Sequence, residues 1–544
     1  MAIVIEALAE KAISILLEAV TSLLREEVDL ILNAKDELKK LDRKLKRLEV
    51  ALKDADRKPF FSSECDKYLE GELKDVFYDA QDIIEKYQTK IKLSKREKDS
   101  LTLWNKVRKP WITLCSCFKD VHASYKFSNE TKKINERLDE IKKNWEMVHP
   151  LKTTPKGGGE DSVDGKHDNP RETSHHMGVQ PPIGGEEYSH ASISQRTRHM
   201  SLLAIDDVEE AMRNATATTH KLRTLLIKSL PSEHLTNFKW LRVLSLRGCQ
   251  NIHELPKSIE DLSLVKYLDL SGSHVKRLPD SIGRLYNLQT LDLSDSNIEE
   301  LPKEMGKLCN LRYLGLKDTR ELQFVAEGLG KLTNLWTLHR FMVCDDKGKT
   351  RGCNINELKD LKKLKGELWI EGLWGGRVKV MDAKKAHLKD KHELKGVKLV
   401  FKVGEDDKVG SASEQKGLLE ALEPPHGIER LVIGSYKGDT RPAWYLDTNY
   451  EELRMLRLER CPSWAAVIGI KSLKELEVRD CPTLLKLPSM PLLKSLEIER
   501  CDGLKTIGDL PNLKSLAVNY CGRLKSHWRL RSVMGSTRLV TCQL

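Results

Sequence analysis

One spacing limits what this chain can fold into. "LRVLSL" starts at Leu241, "VKYLDL" at Val265, "LQTLDL" at Leu288, "LRYLGL" at Leu311 and "LWTLHR" at Leu335, at intervals of 24, 23, 23 and 24 residues. "LRMLRLERC", "LKELEVRDC", "LKSLEIERC" and "LKSLAVNYC" follow at Leu453, Leu473, Leu493 and Leu513, each 20 apart. Apolar side chains at alternate positions suit one buried face of a short strand. A unit this short cannot bury that face alone, so successive units must stack. The stack is one parallel sheet over a continuous leucine core, with the rest of each unit returning as a loop or helical turn.

The pattern L-x-x-L-x-L is the leucine-rich repeat. Between Met342 and Glu452 its register is irregular, yet "LKGELWIEGL", "LKGVKLVF" and "IERLVIGSY" still read as strands. The array is expected to hold about 12 or 13 repeats from near Leu222, within a domain spanning 200–544. Cys461, Cys481, Cys501 and Cys521 fall at one repeat position; Cys249, Ser273, Ser296 and Thr319 share it in earlier copies. A small, weakly polar side chain there turns inward beside backbone amides. Zinc sites present paired C-x₂₋₄-C spacing, which these cysteines lack. Stacking is expected to hold their thiols in separate layers.

The N-terminal third has a different period. Leu38, Leu41, Leu45, Leu48, Leu52 and Ala55 are spaced 3, 4, 3, 4 and 3, one apolar seam along a helix. Leu69, Leu73, Val76, Phe77, Ala80, Ile83, Ile84 and Tyr87 mark another, and Ile134, Leu138, Ile141 and Trp145 a further one. With the apolar first 32 residues this makes four amphipathic helices over 1–148, expected to form an antiparallel bundle. Glu6, Glu10, Lys11 and Glu18 interrupt the first helix, which argues against a signal peptide or a spanning helix. Cys115 and Cys117, beside Trp104 and Trp111, read as buried free thiols.

From 149 to 199 glycine, proline, serine, histidine and charge dominate, and a disordered linker is expected. "PKGGGEDSVDGKHDNPRE" looks like a phosphate loop but fails its chemistry. Such a loop needs G-x-x-x-x-G-K-[ST] after a buried strand. Here five residues separate Gly159 from Gly165, and His167 stands where a magnesium-binding hydroxyl belongs. "LLAIDDVEEAM", Leu202 to Met212, imitates an acidic magnesium strand but follows no helix–strand units.

"LKDVFYDAQDIIEKY", Leu73 to Tyr87, resembles the acidic signature of the N-terminal coiled-coil domain of plant CC-NB-LRR disease-resistance proteins, which are intracellular immune receptors. "INERLDEI" is similar to that domain's fourth helix, and "RTRHMSLLAIDD" resembles the start of the family's repeats. The family's Glu-Asp-Val-Ile-Asp core maps onto Gln81, Asp82, Ile83, Ile84 and Glu85. With Asp79, these residues are the acidic motif that the resemblance implies will contact basic residues of the repeats or a partner. Gln81 in place of the first acid weakens that ion pairing. The family's nucleotide module, which exchanges ADP for ATP, does not match the residues between the two flanks.

The expected fold is therefore an α four-helix bundle, a disordered linker and an α/β leucine-rich-repeat solenoid with its parallel sheet on the concave face. The sequence contains no Gly-x-Ser-x-Gly or His-Glu-x-x-His motif, and His175-His176 lacks partner ligands, so no catalytic, cofactor or metal site is expected. The candidate recognition face comprises Arg454, Arg457, Glu459, Arg460, Glu477, Arg479, Glu497, Glu499 and Arg500. Its mixed charge suits a protein rather than nucleic acid, whose phosphates want one sign. A net charge of +11 in 544 residues adds no argument for nucleic acid. The resemblance implies a pathogen effector or host guardee on the repeats. It places a coiled-coil signalling partner or full-length receptor on the bundle. It leaves self-association and peripheral plasma-membrane contact open for a protein that is otherwise cytoplasmic. The alternatives are a membrane-lysing helical bundle and an ADP/ATP switch like the complete family.

Overall fold

The structure is a computed structural model. It describes residues 2–25, 32–55, 64–104, 110–148, 197–203, 210–213, 221–229, 237–373, 378–401, 411–446, 450–467, 469–524 and 538–543. The linker expected at 149–199 and its phosphate-loop look-alike thus lie almost wholly outside the described residues, as do the side chains of Cys115, Cys117, Trp104, Trp111 and Trp145. The chain divides into two compact units, Met1–Arg196 and Thr197–Leu544.

Among the described residues the first unit has four helices: α1 (Ala2–Arg25), α2 (Leu32–Ala55), α3 (Glu64–Trp104) and α4 (Pro110–Val148). Pro110 at the first turn of α4 has no amide to leave unpaired there. Helices α1 and α4 each pack on both α2 and α3. Leu38, Leu41 and Leu45 of the predicted seam are buried with Ile13, Leu16, Val76, Phe77, Ile84, Ile134 and Leu138, whereas Leu48, Leu73, Ile83 and Ile141 are half-buried. Tyr87 stacks on Phe127 at 4.0 Å and Asp79 meets Arg137 at 2.6 Å, so α3 and α4 run antiparallel. The neighbours α2 and α4 run parallel instead. Buried Asn135 donates to Glu37 Oε2 at 2.9 Å, while Lys44 pairs with Asp139 at 2.7 Å further along both helices. The 3–4 spacing fixes which face is buried but does not set which helices become neighbours.

In the second unit the repeats form parallel sheets of seven and nine strands. Register follows the leucines: Leu244, Leu268, Leu291, Leu314 and Leu338 stand side by side, and so do Leu431, Leu456, Leu476, Leu496 and Leu516. All ten are buried. Eight of the described strands are followed by a left-handed residue just before the inward-turning small one. Gly248 (φ 67°) and Gly272 (φ 63°) suit it, whereas Asp295, Asp318, Arg460, Asp480, Arg500 and Tyr520 adopt it with φ of 50–57°. Two strands flank the array counted from the sequence, His199–Leu202 and Arg538–Gln543, each pairing in parallel with its neighbour. Neither carries the full leucine spacing.

The irregular segment begins at a break within one repeat. Thr337–Leu338 pairs back to Tyr313–Leu314, but Arg340–Met342 pairs forward to Trp369–Glu371, leaving His339 between the two sheets. Strands Gly366–Leu373 and Leu394–Phe401 beyond the break have eight residues each. Buried Lys391 ties these repeats together, donating to Leu358 O at 2.7 Å and Leu361 O at 2.9 Å. Desolvation lowers its pKa from 10.5 to about 8. A depressed folded value means the stabilising contribution is complete above the unfolded pKa and is lost as pH falls through the folded one. Unfolding free energy should therefore rise from about pH 8 to about 10.5 by at most about 3 kcal/mol more than in Lys391→Met. Denaturant titrations of both proteins across that window check this; parallel pH curves would contradict it.

Candidate functional site

Strand alternation decides which predicted recognition residues share a face. In Met455–Glu459, Leu456 and Leu458 are buried, so Arg457 and Glu459 point the other way. Glu475–Arg479 and Ser495–Glu499 repeat the pattern with Glu477, Arg479, Glu497 and Glu499. Register aligns Arg457 with Glu477 and Glu497, and Glu459 with Arg479 and Glu499. These six side chains form one charged lattice. Arg479 lies 2.6 Å from Glu497, 3.7 Å from Glu477 and 3.8 Å from Glu499; Arg457 lies 3.4 Å from Glu477 and 3.9 Å from Glu459.

The other three predicted residues do not sit on that face. Arg460 and Arg500 hold the left-handed turns after their strands. Arg500 pairs there with Asp480 at 2.6 Å and Glu499 at 2.6 Å, and Arg460 with Glu459 at 3.1 Å. The Arg500 hydrogen bond holds the Asp480 carboxyl below its usual range. Arg454 precedes its strand and is exposed. A sequence pattern marks all nine as variable charged positions; only backbone geometry separates the lattice from its margins.

The acidic motif is placed differently from an exposed patch. Asp82 is 1% exposed and Ile84 1% exposed, both turned into the bundle. Asp79 pairs with Arg137 of α4 at 2.6 Å, and Gln81 donates to Glu85 at 3.3 Å. Ile83 and Glu85 are half-buried. Helical period puts Asp82 on the side of Asp79 and Glu85, three residues away on either hand, and not on that of Ile84, so its burial comes from the packing of neighbouring helices rather than from the apolar seam.

The inward-turning small residues behave as their spacing suggests. Ser273, Ser296 and Thr319 donate to Leu270 O, Leu293 O and Leu316 O at 2.6, 2.6 and 2.9 Å. The buried thiols of Cys461, Cys481, Cys501 and Cys521 point to strand-end carbonyls at 3.4 Å. The neighbouring Cys461 side chain, followed by burial, pushes the Cys481 thiol up to about 12. No group of described residues has the makings of a metal site.

Two features escaped the sequence reading. Trp336, 39% exposed, is flanked by the Arg312 guanidinium at 4.9 Å and the Lys365 ammonium at 4.6 Å. Tyr267 and Tyr313 lie nearby on the same strand face, their phenols raised by burial and by the aligned Asp269 and Asp292 carboxylates. Exposed aromatics beside arginine are typical interface anchors. Counting aromatics at the non-leucine positions of each L-x-x-L-x-L would have found them. A cavity of about 710 Å³ opens at the sheet break, lined by Phe324, Met342, Cys344, Glu371, Val378 and Val400.

Comparison with known proteins agrees with this geometry. The leucine-rich repeat region model matches residues 221–539, and the Rx N-terminal domain model residues 12–119. A disease resistance protein of Arabidopsis thaliana is 36% identical over 226 residues, covering 41% of this chain and 15% of its own. Disease resistance protein RGA1 of Solanum bulbocastanum is 44% identical over 238 residues, covering 43% and 23%. A solved leucine-rich-repeat protein of Leptospira interrogans shares 19% identity over 55% of this chain and 79% of its own, with a TM-score of 0.33. The chain thus spans less than a quarter of the length of either plant relative. No described helix is long and apolar enough to cross a membrane. With the repeat model covering more than half of its length, the chain belongs to the leucine-rich-repeat proteins; it also carries a match to the Rx N-terminal domain and is similar to plant disease resistance proteins.

Proposed function

We propose that this protein acts in plant defence as a non-enzymatic binding protein. Its repeat array, 200–544, captures a pathogen effector or a host protein, and its helical bundle, 1–148, engages a coiled-coil signalling partner or a complete receptor. The segment 149–199 joins the two and supplies no nucleotide switch. The observation that carries this reading is the paired-charge lattice of Arg457, Glu459, Glu477, Arg479, Glu497 and Glu499, set on rigid strands. Such a lattice discriminates partners, because a mismatched surface leaves desolvated charges unpaired. Ile83 and Glu85 are the motif residues through which α3 can reach a partner.

The test is affinity recovery with the full chain from pathogen-challenged tissue, alongside the Arg457→Glu/Arg479→Glu variant. Wild type should retain an effector, host protein or receptor that the variant loses, and labelled ADP or ATP should give a flat binding curve. Recovery of the same proteins by both chains, of none by either, or a saturable nucleotide signal would overturn the reading.

A further inference from the structure

On the first sheet, register sets Tyr267, Thr290 and Tyr313 side by side in one column and Asp269, Asp292 and Gly315 in the next. Leu268, Leu291 and Leu314 between them turn into the core, so both columns lie on the opposite, open face. Tyr267 is 37% exposed, and Thr290, Tyr313 and Asp292 are half-buried. The two tyrosines thus flank a short threonine, two strand spacings or about 9.6 Å apart at the backbone. A flat group between two rings needs about 7 Å, twice a contact distance of about 3.5 Å. The Tyr313 ring leans to the next repeat, edge-on to His339 at 5.6 Å and 77°, rather than closing over Thr290.

The carboxylates beside this slot are fixed by serines and lack a cation. Asp269 Oδ1 accepts from the Ser271 amide at 2.9 Å and the Ser271 hydroxyl at 2.7 Å, and Oδ2 accepts from the Ser245 hydroxyl at 3.2 Å. Asp292 Oδ1 accepts from the Ser294 amide at 3.0 Å. Among the described residues neither aspartate forms an ion pair. Exposed Arg247 is close enough to act on Tyr267 but does not pair with Asp269. Gly315 makes room for the arrangement: a Cβ there would run into the Asp292 carboxylate and stand 2.9 Å from Tyr313 Cε1. On the other side of the tyrosines stand Lys266, Gln289 and Arg312, and the Arg312 guanidinium lies over Trp336 at 4.9 Å. The slot is therefore negative on one side only.

We propose that this slot holds the guanidinium of an arginine side chain presented by a partner protein, stacked between Tyr267 and Tyr313 with its N–H groups directed at Asp269 and Asp292. A guanidinium is flat and weakly hydrated, so it stacks on aromatic rings, and its forked donors match carboxylate oxygens. A lysine ammonium brings the charge without the plane and fills less of the space. A phosphate or carboxylate ligand would face two aspartates that have no counter-ion. Resting on the capture role proposed above, the slot adds a contact on a different sheet from the lattice and names the side chain it takes.

The probe is a blocked glycine–serine peptide with one central arginine, titrated against the full chain by saturation-transfer difference NMR, which reads weak binding. Transfer should concentrate on the arginine side chain and saturate. The lysine counterpart should bind about fivefold more weakly, and the citrulline counterpart, flat but uncharged, should not bind. Tyr267→Leu should weaken the arginine peptide about fivefold, whereas Tyr267→Phe, which keeps the ring, should not. Asp292→Asn should weaken it about tenfold, and its amide oxygen can still accept from Ser294, so the turn survives. Gly315→Ala should displace both walls and abolish binding, while Asp502→Asn, an exposed carboxylate elsewhere, should change nothing. The proposal falls if the arginine peptide does not bind, if the lysine peptide binds as tightly, or if Tyr267→Leu or Asp292→Asn binds like wild type. It also falls if the partner recovered from tissue is retained equally by Asp292→Asn, an outcome that leaves the capture reading intact.

Discussion

Leu291→Ala is expected to lower the opening free energy of the repeats around it by about 3–5 kcal/mol. Leu291 is fully buried, with Leu268 on one side and Leu314 on the other. Removing its isobutyl group leaves a cavity in a stack whose neighbours are pinned by their own backbone ladders, so the space cannot collapse. Each repeat contacts only its neighbours, so the loss should be local. Native-state hydrogen exchange reads it directly: amides of Tyr267–Asp269 and Tyr313–Gly315 should exchange much faster, while those of Met455–Glu459 should not. A loss below about 1 kcal/mol, or equal loss across the whole chain, would show that the leucine stack is not the cooperative core. Exchange is the right observable because a chain of two units need not unfold in one step.

Gly306→Ala should cost about 2–3 kcal/mol although it adds one methyl group. Gly306 lies in the helical turn Lys303–Lys307, which packs on the turn of the next repeat. A Cβ there would stand 2.6 Å from Gly328 O and 3.2 Å from Gly328 Cα. These are backbone atoms and cannot rotate aside. Gly306 is not in the left-handed region, so alanine carries no conformational penalty and the clash alone is measured. Gly427→Ala, whose methyl would meet nothing closer than Glu452 Oε2 at 4.0 Å, provides the neutral comparison. Thermal and denaturant unfolding of the three proteins decides it; equal midpoints would refute the close approach.

Much of the molecule was legible before any coordinates. The leucine spacing identified the strands, including the degenerate ones at Gly366, Leu394 and Arg430, because a buried alternate position tolerates little besides apolar side chains. The helical seams identified the bundle core for the same reason. The candidate site was legible only in part. Arg457, Glu459, Glu477, Arg479, Glu497 and Glu499 do share a face, but Arg460 and Arg500 turn away because the chain goes left-handed where each strand ends. Asp82 is buried despite its charge, and Trp336 is exposed despite its size. Composition ranks residues by solubility, whereas position on a helix or strand decides what they touch.

The sequence by itself determined the periods. A repeat of 20 to 24 residues with leucines at alternate positions admits one economical core, and a 3–4 seam admits another, since burying apolar surface is the dominant driving force and it is periodic along the chain. Only the tertiary structure decided how neighbouring units use their polar positions. It set two arginines among the four glutamates of the lattice. It broke the sheet at His339 and set α4 beside both α2 and α3. Those outcomes depend on distances of a few ångströms between residues some 20 to 100 positions apart, and the strength of electrostatic and packing contacts changes steeply over such distances.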